Sequence, residues 1–247
     1  MSPDEFDRTD PVDIELTAPA GTTITSVKLG DDTVDAAKYT LAQGGRVAVL
    51  KKEWLETLSD GEKTFKAMAG ATACVTGTVT ISGELAADFD RSDPEDIEID
   101  VSDATITGVK LGDDAVDSSN ITIASGSHAV TIKKEYLTTL SNGDKEFTVM
   151  ASTTECIVCV VTVSGEGSAS FSKADPADIT IAVADADITG LKNGDEDVAD
   201  TAYSIAEGLH SITITDDYLA TLDNGDVTFS VELDDADPVV YVVTVGA

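Results

Sequence analysis

The chain has few cations, few histidines, few cysteines and one tryptophan. Fifteen Lys and Arg stand against 47 Asp and Glu over 247 residues, a formal net charge of −32. Affinity for a nucleic-acid backbone comes from Lys and Arg that neutralise phosphates, so this balance disfavours nucleic acid, and anionic membrane surfaces with it. No stretch reaches 18 uncharged apolar residues, which disfavours a membrane-spanning helix. Met1-Ser2-Pro3-Asp4-Glu5-Phe6 offers neither a basic segment nor an apolar run, so no secretion signal is expected in the chain as written. Hydrophobic residues still make up 42%, enough to build cores and to disfavour disorder.

What is present is one unit written three times. Phe6-Asp7-Arg8-Thr9-Asp10-Pro11 returns as Phe89-Asp90-Arg91-Ser92-Asp93-Pro94 and as Phe171-Ser172-Lys173-Ala174-Asp175-Pro176. Lys52-Glu53-Trp54-Leu55 through Gly61 returns as Lys134-Glu135-Tyr136-Leu137 through Gly143, then as Asp216-Asp217-Tyr218-Leu219 through Gly225, each step 82 residues. That period suits a small globular domain better than a solenoid repeat of roughly 20–50 residues. Three domains are expected: 1–83, 84–165 and 166–247.

Inside each unit the hydrophobic period is two. Ile157, Cys159, Val161 and Val163 alternate with their neighbours, as do Val239, Tyr241, Val243 and Val245. Short alternating segments separated by Gly, Asp and Asn predict an antiparallel β-sandwich. The Leu-x-x-Leu pairs Leu55/Leu58, Leu137/Leu140 and Leu219/Leu222, each closed by Gly, predict one helical turn per unit. The expected fold class is all-β: three tandem immunoglobulin-like β-sandwich domains with one short helical turn each.

The unit resembles the X2 module, an immunoglobulin-like domain found beside catalytic and scaffolding domains of bacterial polysaccharide-degrading systems. The residues that carry the likeness are the Phe-Asp-(Arg/Lys)-x-Asp-Pro opening, Val27-Lys28-Leu29-Gly30, Tyr39-Thr40 or Tyr203-Ser204, and the block from Ile132 to Gly143. The family usually has Asp before that Tyr, whereas Lys38, Asn120 and Ala202 stand there, and Ile121 replaces the second Tyr. Any role of an Asp-Tyr pair is therefore not carried over. Similar domains also occur in tandem on tailed bacteriophage virions.

Candidate sites are weighed by whether a polar residue is unique or repeated. His128 and His210 share one repeat position, which argues against a general base, and no nucleophile motif accompanies them. The acidic turns at Asp31-Asp32, Asp113-Asp114 and Asp195-Glu196 match turn chemistry and not the spaced ligands of a calcium loop. Glu84, Asp88 and Asp90 at the first seam form a weak candidate metal set. Cys156-x-x-Cys159 lies on one strand, where residues three apart point to opposite faces, so Cys159 is expected inside and Cys156 outward or toward a neighbour. The aromatics recur as core positions, and Tyr241, which has no aromatic counterpart, shares their inward parity, so no strip of rings is expected for stacking on sugars.

Charge does not repeat. The first unit has eight cations against thirteen carboxylates, the second five against sixteen and the third two against eighteen. One reading is an array that docks through its first unit, with Arg8, Lys28, Lys38, Arg46, Lys51, Lys52, Lys63 and Lys66 as the docking set. The expected function is a non-enzymatic, cofactor-free surface protein, a virion decoration partnering a capsid or tail protein, with self-association and a host-surface glycan as further partners. The alternative is an extracellular carbohydrate- or cell-wall-binding accessory segment of a secreted polysaccharide-degrading protein.

Overall fold

The structure is a computed structural model that describes residues 4–247 apart from 124, 125, 153, 207 and 209; Met1–Pro3 of the N-terminal stretch lie outside the described residues. Its strands form six sheets, a five-stranded and a three-stranded one in each third of the chain. Three separate buried clusters lie between them, centred on Phe65, Phe147 and Phe229, each fully buried. Burying one such ring contributes about 2–3 kcal/mol. Each unit therefore closes its own core, and the architecture is three tandem β-sandwich units. No helix among the described residues is long and apolar enough to cross a membrane.

In the first unit the strands are β1 (Asp4–Asp7), β2 (Ile14–Thr17), β3 (Ser26–Leu29), β4 (Asp32–Thr33), β5 (Tyr39–Ala42), β6 (Val47–Leu50), β7 (Gly61–Ala69) and β8 (Thr72–Ser82), with the helical turn α1 (Lys52–Leu55) between β6 and β7. One sheet has the order β1-β8-β7-β3-β4 and the other β2-β6-β5. The expected antiparallel sandwich carries one parallel pair in each unit. β1 runs parallel to β8, as do the opening and closing strands of the other two units. Parallel neighbours need a long connection, and here it is the whole unit.

The repeated opening motif is structural. Phe6 enters the core fully buried, and the Asp7 carboxylate accepts both the backbone N–H (2.9 Å) and the hydroxyl (2.8 Å) of Thr9. Arg8 turns inward and is 7% exposed. Its guanidinium donates to the carbonyls of Glu56 (2.9 Å), Gly83 (2.7 Å) and Leu58 and pairs with Asp60 at 2.5 Å. Arg91 does the same in the second unit, to the carbonyls of Thr138, Gly165 and Leu140 and to the Asn142 side chain. Lys173 makes one such bond, to the Leu222 carbonyl at 2.6 Å. A single cation thus ties the first strand to the free carbonyls after the helical turn, which would otherwise be buried without donors. Gly83 adopts φ +88°, and a Cβ there would lie 2.5 Å from Asp7 Oδ1 and 2.9 Å from Arg8 N.

Period two fails at β-bulges, one of which the first two units share. Ala67 pairs with Val75 and Met68 with Ala73, so Cys74 is the extra residue of a β-bulge. Val149 pairs with Ile157 and Met150 with Glu155, which makes Cys156 its counterpart. A bulge re-aims the residue it inserts. Cys156 is therefore buried along with Ile157 and Cys159, rather than facing outward. In the third unit Tyr241 packs on Gly167, where a Cβ would come within 2.1 Å of the ring. The second unit has Cys159 opposite Leu85 at this pair, so the large and small partners are exchanged.

Replacing Arg91 with Met leaves three carbonyls short of their donor and is expected to destabilise the second unit by about 3 kcal/mol, against about 1 kcal/mol for Lys173→Met in the third. Urea unfolding of the full chain measures both; equal losses would contradict the assignment.

Candidate functional site

The helical turn ends at the edge of its unit, and the chain after it meets the next unit. The Ser59 N–H donates to Asp103 Oδ1 at 2.7 Å, and the Ser59 hydroxyl to Asp103 Oδ2 at 3.0 Å. Lys63 Nζ lies 2.8 Å from Asp103 Oδ2 and 2.6 Å from Ser59 Oγ. Beside this clasp the Ser102 N–H donates to the Thr57 carbonyl (2.8 Å) and the Asp60 N–H to the Cys156 carbonyl (2.7 Å).

The second seam repeats the clasp atom for atom. The Ser141 N–H and hydroxyl reach Asp185 at 2.6 and 3.0 Å, and Lys145 Nζ stands 2.7 Å from Asp185 Oδ2. The Ala184 N–H donates to the Thr139 carbonyl at 2.7 Å, and Asn142 Nδ2 to the Pro238 carbonyl at 3.1 Å. At the corresponding positions the third unit carries Asp223 for the serine and Val227 for the lysine, and the first unit carries the loop Pro19-Ala20-Gly21 for the aspartate.

The clasp side chains are mostly out of water: Lys63 and Asp103 are 14% and 13% exposed, Lys145 and Asp185 12% and 10%. Burial raises the Asp103 carboxyl pKa, but hydrogen bonds from Lys63 and Ser59 and the Lys63 charge outweigh it and hold the group below the usual carboxylate range. Removing one partner of a fully buried pair costs about 3–5 kcal/mol, and less at this partial exposure.

A cleft of about 650 Å³ opens over the first clasp, walled by the β3–β4 hairpin, Lys38, Trp54 and Glu62 on one side and by Ser102, Asp103 and His128 on the other. At the second seam clefts of about 390 and 470 Å³ share Asp185 as a lining residue. Asn120 stands where the first unit has Lys38, and Tyr136 where it has Trp54.

Most of the proposed docking set is committed internally. Arg8 is buried, Lys63 holds the clasp, and Lys66 pairs with Asp31 at 2.8 Å. Lys28 and Lys51 donate to the carbonyls of Asp31 (3.1 Å) and Ala37 (2.7 Å). Lys38 and Arg46 are exposed and Lys52 is half-buried, so these cations do not form one open face. Glu84, Asp88 and Asp90 are exposed, and Asp90 is occupied by the Ser92 N–H (2.8 Å) and hydroxyl (2.7 Å). Among the described residues no group of three or more His, Cys, Asp and Glu side chains is placed to hold a metal ion. His128 and His210 each set Nδ1 against the carbonyl of the residue 24 positions earlier, Ala104 and Ala186. Burial pushes the Cys159 thiol up to about 11 and raises that of Cys156, which suits inert core thiols.

The family model described as carbohydrate binding domain X2 matches residues 166–243, the third unit. Nothing among curated proteins matches the chain. Similar solved structures include a tri-modular endo-β-1,4-glucanase from Bacillus licheniformis complexed with cellotetraose, at 15% identity and TM-score 0.28, over 66% of this chain and 37% of that one. Another is the SGBP-B protein of the Bacteroides ovatus mixed-linkage glucan utilization locus in complex with a mixed-linkage heptasaccharide, at 15% identity and TM-score 0.32, over 98% of this chain and 65% of that one. The N-terminal eight immunoglobulin domains of the Down Syndrome Cell Adhesion Molecule match at 8% identity and TM-score 0.23, over 100% of this chain and 36% of that one. The chain thus spans about a third of the endoglucanase and of the adhesion-molecule chain.

Lys63→Met should lower the hydrogen-exchange protection of the Ser59 and Ser102 amides at least tenfold, about 1.4 kcal/mol. A carboxyl held below its ordinary pKa stabilises its clasp above that pKa and loses the contribution as pH falls through the depressed value. The first seam of the unaltered chain should therefore lose the same protection as pH drops below about 4. Protection unchanged by both treatments would contradict the clasp.

Proposed function

We propose that the chain is a non-catalytic accessory segment of an extracellular polysaccharide-binding or -degrading system, made of three X2-type units at 1–83, 84–165 and 166–247. The observation that carries this reading is the match of residues 166–243 to the carbohydrate binding domain X2 model. The opening motif and the helical-turn block extend the likeness to the other two units at a near-constant step. The histidines and the acidic turns recur as scaffold, and Ser59, Lys63 and Asp103 are used in the seam, which supports binding and spacing over catalysis.

The same facts weigh against a virion decoration that docks through its first unit, since five of the eight cations in that unit are bonded within the chain. What remains is an acidic array whose two seams hold its units in register. Such an array sets a fixed distance between whatever lies on either side of it and carries its own contact to a glycan. The acidity keeps it soluble beside other acidic surfaces and disfavours polyanionic glycans.

Affinity electrophoresis of the full chain through gels containing soluble cellulose, xylan or peptidoglycan fragments tests the reading. Retardation by at least one is expected; migration unchanged by all three contradicts it.

A further inference from the structure

We propose that the cleft between the first and second units binds a short neutral oligosaccharide, an inference that rests on the glycan-contacting function above and gives it a place. The cleft lies at a junction between domains, a preferred position for ligand sites, and its volume of about 650 Å³ falls in their usual range of roughly 300–1,000 Å³. Its floor is the first clasp, where Ser59, Lys63 and Asp103 fix one wall against the other. A cleft held in shape before the ligand arrives loses little affinity to ordering.

The walls carry polar groups that the fold does not use. Asp32, Lys38 and Glu62 are exposed and enter none of the side-chain hydrogen bonds or ion pairs found among the described residues. His128 is exposed and engages Nδ1 with the Ala104 carbonyl at 2.6 Å, and its Nε2 enters none of the hydrogen bonds found among the described residues. Sugar hydroxyls both donate and accept, so a wall that mixes carboxylate, ammonium and imidazole matches them. Carboxylates outnumber ammonium groups around the cleft, four to two, which repels a polyanion. The half-buried Leu29 adds a small apolar surface to the wall, while Trp54, 6% exposed, packs on Phe65 in the core behind it.

The second seam is an internal control. It keeps the clasp, with clefts of about 390 and 470 Å³ that share Asp185, and Asn120 and Tyr136 replace Lys38 and Trp54. The two seams therefore differ in the side chains that line the cleft and agree in the linkage.

The test is calorimetric titration of the full chain with cellohexaose and with xylohexaose. The double variant Lys38→Ala/Glu62→Ala changes two exposed side chains outside the clasp, and its thermal unfolding should match that of the unaltered chain. At least a tenfold loss of affinity is expected, with Asn120→Ala at the second seam leaving affinity unchanged. Affinity kept by the double variant, or lost equally with Asn120→Ala, overturns the cleft and leaves the glycan-contacting function standing. If the unaltered chain binds neither sugar here and is retarded by none of the polysaccharides in gels, the function itself fails and the cleft with it.

Discussion

The structure depends on one carboxylate at each seam. Asp103 and Asp185 each accept a backbone N–H and a hydroxyl from the preceding unit and pair with its lysine, all within 3.0 Å. Without that carboxylate, three small sandwiches with separate cores have little reason to hold one orientation. Inter-domain contacts of modest area leave relative motion as the default. A carboxylate that accepts two hydrogen bonds and pairs with a lysine opposes that motion, because swinging one unit away breaks all three charge-assisted contacts at once.

A second layer links each seam to the unit behind it. Arg8 and Arg91 bind the carbonyls that follow the helical turn, and the same short segment then presents Ser59 or Ser141 to the next unit. The opening strand, the helical turn and the seam are therefore one connected polar network. In the third unit Lys173 replaces the arginine, and the residues that would present a clasp are Asp223 and Val227. The network is strongest where a seam depends on it.

Much of the fold was legible in the sequence. The alternation of Ile157, Cys159, Val161 and Val163 marks a strand with one face inward, and Leu55 with Leu58 marks a helical turn; both sets are buried as expected. The bulge at Cys156 was not legible, because one inserted residue leaves no trace in a two-residue period. Arg8 looked like a surface cation because sequence alone gives a charge its usual place in water, and the four partners that pay for its burial lie 48 to 75 residues away. The seams leave a different trace. Residues present three times mark scaffold and residues present once mark a special role, whereas two seams require residues present twice. Ser59 and Lys63 return as Ser141 and Lys145 and give way to Asp223 and Val227, while Asp103 returns as Asp185 and has no counterpart in the first unit. That count of two was the available signal.

Residual dipolar couplings from the backbone amides of all three units, measured in one weakly aligning medium at neutral pH, test the central claim most directly. One alignment tensor should fit all three units together. Three tensors of different magnitude and orientation would show units that move independently, and the clasps would then be contacts without mechanical consequence.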